Sequence, residues 1–365
     1  MPDMFDYLTW RGDIPFSQVP PGPVDALIFT TLSYIEFDGI APETPRKWVT
    51  LQEAASALLQ LPNAPKKVRL EKDLELLAVA AACPRFQNAG LCFYRDIFVA
   101  EENTQFAAMT FYLDDGSAFL AFRGTDKTLV GWREDFNMTF LESIPAQRLA
   151  REYVLEFAAV SGAPMHLGGH SKGGNLAIYA AAKVPPAIQN RIVRVYNQDG
   201  PGFTEKMLTE EGYRRIVPKI CTYVPQSSVF GMLLDREEPH TIIKSRAIGL
   251  LQHEPYTWEI MGGRFIEEEE LTADSRFLDR TFKTWLAGMT TEERYRFFDT
   301  VFSMLMTEDA SRPLDIFKPQ NLKSYFLNLT SDGNARKIIT AELENLIQSA
   351  KAVQLVEEEI RKENK

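Results

Sequence analysis

The sequence predicts an α/β protein, a mainly parallel sheet with helices on both faces. Two observations lead there. From residue 105 onward, short apolar runs of strand length alternate with helical segments, the pattern of strands joined by crossovers. In addition, the pentapeptide Gly169-His170-Ser171-Lys172-Gly173 lies between an apolar run, 165–167, and an alanine-rich helical run, 175–183. That is the strand–turn–helix setting in which the serine of a G-x-S-x-G motif becomes a nucleophile. Size permits it: 365 residues, 45% hydrophobic and 25% charged, suffice for a large core and more than one folding unit.

The elements follow in order. Val19-Pro20-Pro21-Gly22-Pro23 is a stiff turn, and residues 24–34 read as a buried helix. Helices over 50–61 and 71–82 show apolar residues at three- and four-residue spacing. Residues 1–100 are therefore expected to form a helical segment packed on the core. The core spans 101–265. Its strands 105–113 and 117–122 are joined by the turn Asp114-Asp115-Gly116, giving the sheet an antiparallel edge. A helix at 148–159, the strand and helix around Ser171, a strand at 191–196, a helix at 205–216, and strands at 220–224 and 241–245 complete it. The acidic run 267–270 reads as a solvated boundary, and 266–365 as a helical extension. There Thr290-Thr291-Glu292-Glu293 has the form of a capping box. Ile339, Leu343, Leu346, Ala350 and Val353 make one apolar stripe on a long helix, a core seam before it is a partner face. A homodimer through these helices stays open.

A net charge of −10 leaves no basic footprint for nucleic acid. Cys83, Cys92 and Cys221 are odd in number and lack metal-site spacing, so they read as reduced core thiols, with no metal implied. The first residues lack the basic and apolar regions of a signal peptide, and no apolar run has the length of an integral membrane span. A cytoplasmic location is the expectation.

By composition alone a G-x-S-x-G arises in roughly one chain in ten of this length, so a glycine-rich turn is the bland alternative. The flanks favour the nucleophile. A serine hydroxyl needs a base, an orienter for the base, and donors for an oxyanion. The chain has four histidines. His170 is inside the turn, badly placed to reach its neighbour's hydroxyl, and His166 lies in the strand leading in. His253, on a late loop, is the expected base. Its alternative reading is a loop histidine held by Glu254. His240 is the fallback, although it also reads as a residue opening a strand. The chain order nucleophile, acid, base admits Asp199 and Asp235. Asp199 stands at a strand end, where sites in open α/β sheets collect, but Asp-Gly-Pro-Gly is also a plain turn. The backbone N–H groups of Lys172 and of Thr125, in Phe122-Arg123-Gly124-Thr125, are the expected oxyanion donors. The Lys172 side chain reads as a surface amine.

Phe122-Arg123-Gly124-Thr125 with Trp132 and Asp135, followed by the serine pentapeptide, resembles the class 3 (fungal-type) lipases of the α/β-hydrolase fold. The match is closer to a bacterial relative of that group, the Mbeg1-like proteins. Asp6-Tyr-Leu-Thr-Trp-Arg-Gly-Asp13, Gly168-Gly-His-Ser-Lys-Gly-Gly-Asn175, Asn197-Gln-Asp-Gly-Pro-Gly202 and Gln252-His-Glu-Pro-Tyr-Thr-Trp258 all look like that family's pattern, over roughly residues 1–265. The resemblance implies Ser171 as nucleophile, Thr125 as oxyanion threonine, His253 as base, and Asp135 as an acid ordering the loop after Thr125. There is one departure. The lipases carry the triad aspartate just after the strand matching 220–224, where this chain reads Pro225-Gln-Ser-Ser-Val229; an acid at Asp199 would repair the triad. The implied function is an acyl ester hydrolase without metal or organic cofactor, lipase- or esterase-like, with Phe136 and Phe140 as lid aromatics over a lipid substrate. An acyltransferase or thioesterase would use the same residues. The missing acid also suits a degenerate hydrolase that binds a protein partner.

Overall fold

Eight strands make one sheet, arranged in chain order: β1 (Val49–Thr50), β2 (Gly90–Val99), β3 (Thr104–Tyr112), β4 (Ala118–Phe122), β5 (Met165–His170), β6 (Ile192–Gln198), β7 (Ile220–Pro225) and β8 (His240–Ile243). Pairing is antiparallel from β1 to β4 and parallel from β4 to β8. This computed structural model describes residues 1–126, 128–305 and 332–363. They divide into two units, Met1–Asp126 with Pro145–Leu271, and Lys127–Ile144 with Thr272–Lys365.

The sheet belongs to the first unit. α1 (Met4–Arg11), α2 (Pro23–Leu32), α3 (Leu51–Leu59), α4 (Glu71–Ala82) and α5 (Pro84–Gln87) come before β2. α6 (Leu129–Asn137) and α7 (Pro145–Val160) lie between β4 and β5 in the chain, α8 (Lys172–Lys183) and α9 (Pro186–Gln189) between β5 and β6, and α10 (Glu205–Leu208) and α11 (Glu211–Ile216) between β6 and β7. α2 is buried from Val24 to Leu32. Its Phe29 ring lies 4.7 Å from Phe111 and 5.0 Å from Phe119 on the sheet, and 5.3 Å from Phe86, so the helix caps one face with aromatic packing. At its start Asp25, itself buried, accepts bonds from Tyr7 Oη and from Arg85 Nε and Nη2, each 2.7 Å. A buried charge persists only when paired in this way.

Two expectations need correcting. Residues 90–99 are strand and not part of a helical segment: β2 pairs with β3 along its length across a bulge between Cys92 and Arg95. The helix read over 205–216 is two short ones, separated at Thr209 and Glu210.

The parallel register fixes where chemistry gathers. Phe122 pairs with Gly169, His170 with Gln198, and Gln198 with Tyr223. The residues that follow these strands, 123–125, Ser171, Asp199 and 226–228, therefore emerge at one carboxyl edge. The mixed sheet, its flanking helices and this strand-to-helix turn make the first unit an α/β-hydrolase fold.

The second unit packs α6 with α12 (Ala273–Ala287), α13 (Thr291–Leu305) and α14 (Gly333–Glu363). Its core holds Trp285, Leu286, Met289, Phe297, Phe298 and Phe302. Phe136 and Phe140, read from sequence as lid aromatics, pack into this core, with the Phe136 ring 4.6 Å from Phe298. Arg133 pairs with Asp299, and Arg294 donates to the Thr139 carbonyl at 2.7 Å. The capping box at Thr290 forms, with Glu293 Oε2 accepting from the Thr290 N–H at 2.8 Å. On α14, Ile338, Ile339 and Leu346 face this core and Val353 is buried, whereas Leu343 is 48% exposed. The helical reading of 306–331 lies outside the described residues.

Candidate active site

Ser171 occupies the turn between β5 and α8 with φ 58° and ψ −133°. This backbone region costs a non-glycine residue about 1–3 kcal/mol and persists only where neighbours enforce it. Its N–H donates to the Gln198 carbonyl at 2.9 Å, and its own carbonyl accepts from the Gly174 N–H at 2.9 Å. The flanking glycines are required by contact: a Cβ on Gly169 would stand 2.0 Å from the Gly173 carbonyl carbon, and one on Gly173 would stand 2.1 Å from the Phe122 oxygen. The side chain of Ser171 is half-buried.

Asp199 follows β6 in a left-handed conformation, φ 56°. The turn is set by Asn197 Oδ1, which accepts from the Gly200 N–H at 3.0 Å, and by the Asp199 N–H, which donates to the Tyr223 carbonyl at 2.8 Å. Thus Asn197-Gln-Asp-Gly is a turn, and the turn serves to aim the carboxylate. Asp199 Oδ2 lies 2.6 Å from His253 Nδ1. Asp199 is fully buried and the His253 side chain 22% exposed. With Nδ1–H given to the carboxylate, Nε2 is left as the acceptor a general base needs. The other oxygen, Oδ1, accepts from Ser228 Oγ, which in turn accepts from the Gly231 N–H at 3.0 Å. The stretch 225–229 that lacks an acid thus supplies a hydroxyl to the acid on the neighbouring strand. Sequence reading missed Ser228; the signal was the serine pair standing where an acid is expected.

The other candidates make other contacts. Asp235 pairs its backbone with Phe203 at 2.7 and 3.2 Å. His240 opens β8 and is exposed. Glu254, the alternative holder of His253, is instead gripped by both Arg69 Nη atoms at 2.5 and 2.6 Å. His166 is buried on β5, and burial pushes its pKa down to about 4. His170 is buried as well, and burial, with the nearby His253 and Arg69, holds it well below the ordinary histidine range.

Lys172 opens α8, its backbone N–H at the positive end of the helix where an oxyanion would be stabilised. Its side chain is not a surface amine: it is 1% exposed and donates to Gln105 O and Oε1 at 2.8 Å each. Gln105 Oε1 also accepts from the Asp126 N–H at 3.4 Å. Lys172 therefore ties the serine turn to β3 and to the loop carrying Thr125, which is half-buried. That loop is further held by Arg123, bidentate on Asp96 of β2 at 2.8 Å. Asp135, expected as the ordering acid, sits on α6 in the second unit. Asp96 was missed because it lies on the unread strand. Among the described residues no His, Cys, Asp and Glu cluster has a metal-binding arrangement, and no helix is long and apolar enough to cross a membrane.

A family model described as Mbeg1-like matches residues 80–303, and the chain belongs to that family. No curated protein matches it. Among solved structures, the crystal structure of M37 lipase is similar at 12% identity and a TM-score of 0.38, over 57% of this chain and 69% of that one.

Proposed function

We propose that this chain is a serine hydrolase that cleaves acyl esters through an acyl-enzyme on Ser171. The observation carrying the reading is the pairing of the buried Asp199 with His253 at 2.6 Å, at the same sheet edge as a serine held at φ 58°. In this reading Ser171 Oγ attacks the ester carbonyl carbon while His253 Nε2 takes its proton. The Lys172 and Thr125 backbone N–H groups receive the oxyanion. Collapse breaks the ester C–O bond, and His253 returns the proton to the departing alcohol. Water, deprotonated by the same imidazole, then releases the acid and frees Ser171. Donors aimed at the oxyanion contribute about 3–4 kcal/mol each in such sites. The test is labelling with a fluorophosphonate and peptide mapping, with Ser171→Ala and His253→Ala as controls. Labelling on Ser171 that both substitutions abolish is expected. A folded chain that stays unlabelled would favour the non-catalytic reading.

A further inference from the structure

The loop that bears His253 is held at several residues, besides the bond from its ring to Asp199. The His253 carbonyl lies 2.8 Å from His170 Nε2, and His170 Nδ1 lies 3.0 Å from Tyr34 Oη. A carbonyl can only accept, so Nε2 carries the proton, and Nδ1 is left to accept from the tyrosine hydroxyl. Next along the loop, Glu254 is clamped by Arg69, whose guanidinium carbon sits 4.9 Å above the Tyr34 ring. Tyr256 Oη then donates to Asp73 at 2.7 Å. The His170 and His253 rings are 4.5 Å apart.

We propose that His170, backed by Tyr34, is a positioning residue that fixes the His253 backbone relative to Ser171. The inference rests on the serine-hydrolase reading. His170 is joined to Ser171 by one peptide bond, so nucleophile and base are located by the same rigid turn. Asp199 holds the His253 ring and Arg69 and Asp73 hold the loop beyond it, while His170 holds the His253 backbone itself, directly from the serine turn. Burial keeps His170 neutral, and only the neutral ring can donate at one nitrogen and accept at the other. Tyr34 lies in the segment read from sequence only as helices packed on the core, and this contact gives it a part in the site.

Three variants test it: His170→Leu, His170→Gln and Tyr34→Phe. Each is assayed for kcat and KM on a p-nitrophenyl ester, for the rate of fluorophosphonate labelling, and for thermal unfolding. Leucine leaves the His253 carbonyl without its donor, while the glutamine amide reaches about where Nε2 stands. A misplacement of about 1 Å at a reacting group costs on the order of a hundredfold in rate. His170→Leu should therefore lose about that factor in kcat and in labelling with KM unchanged, His170→Gln should recover most of it, and Tyr34→Phe should lose about tenfold. A merely structural role predicts lowered stability with kcat kept per folded molecule, or equal loss in the leucine and glutamine variants. Either result overturns the inference. If His170→Leu does not fold, Tyr34→Phe decides alone: a lower kcat at constant KM supports the inference, and an unchanged kcat overturns it. A wild-type chain unlabelled at Ser171 overturns the hydrolase reading and this inference together, whereas labelled wild type with a full-rate leucine variant overturns this inference only.

Discussion

Asp199→Asn isolates what the acid contributes by charge. The side-chain oxygen of the amide can still accept from His253 Nδ1–H, and its nitrogen can donate to Ser228 Oγ, so the contacts at 2.6 Å and on Oδ1 survive in altered form. What disappears is the anion that, in the proposed mechanism, faces the imidazolium formed as Ser171 loses its proton. With charge centres about 4 Å apart and an effective dielectric of about 20, that attraction is worth roughly 4 kcal/mol. Lost from the transition state alone, it lowers kcat by about a thousandfold. Initial rates on a p-nitrophenyl ester and the labelling rate at Ser171 measure it, with thermal unfolding as the check on folding. KM should hardly move, because the ground state carries no imidazolium. Asp235→Asn is the matched control and should behave as wild type. An Asp199→Asn enzyme within threefold of wild type, or an equal loss in Asp235→Asn, would refute the assignment.

Further outcomes are expected. Ser228→Ala removes the partner of both Asp199 Oδ1 and the Gly231 N–H; two buried groups left short cost about 3 kcal/mol together, read by urea unfolding, and kcat should fall about tenfold while Ser228→Thr keeps most of both. Asp96→Asn leaves the Arg123 guanidinium buried without its countercharge, at a cost of about 3 kcal/mol, and should slow Ser171 labelling through the Thr125 loop. Phe29→Ala, emptying the aromatic cluster over the sheet, should cost about 3–5 kcal/mol in the same unfolding assay. His166 makes stability pH-dependent. Its folded pKa of about 4 lies below the ordinary 6.5, so between those values the unfolded chain binds a proton that the folded chain refuses. The stability is intact above pH 6.5 and declines as pH falls towards 4, by about 3 kcal/mol in all. Urea midpoints at pH 7.5 and 5.0 read this, and His166→Leu should show a shallower dependence.

The serine turn was legible because its constraints are local. Gly169 and Gly173 are dictated by backbone atoms within the turn and at the end of β4, and the flanking strand and helix announce themselves by period. Asp199 was singled out as a strand end and His253 by elimination among four histidines, and the fold brings the two side chains together. What sequence could not show was lateral. β2 reads poorly as a strand because its bulge breaks the alternation, Phe93 adopting φ 52°, and with it went Asp96. Lys172 reads as a surface residue because lysine usually is one; only the fold brings Gln105 beneath it. The segment 127–144 lies between two sheet strands in the chain, yet it folds with α12, α13 and α14, a long-range choice made by Phe136 and Phe140 that no local pattern encodes.

The missing acid after β7 is the strongest sequence argument against chemistry here, and the proposed function meets it through the neighbouring strand. β6 and β7 are hydrogen-bonded neighbours with Gln198 opposite Tyr223, so their ends stand only about 4.8 Å apart. A carboxylate moved from one strand end to the next can meet the same histidine if its turn redirects the side chain, and Asp199 does so through its left-handed backbone. The second carboxylate oxygen is satisfied from the strand that lacks the acid: the Ser228 hydroxyl donates to Asp199 and accepts from the Gly231 N–H. A fully buried carboxylate costs several kcal/mol unless it is partnered. Here each oxygen has a donor, and one of those donors is the histidine best placed to act as the base. On the proposed reading the departure from the lipase pattern is a relocated acid, and Ser228→Ala and Asp199→Asn should prove non-additive, since each acts on the same carboxylate.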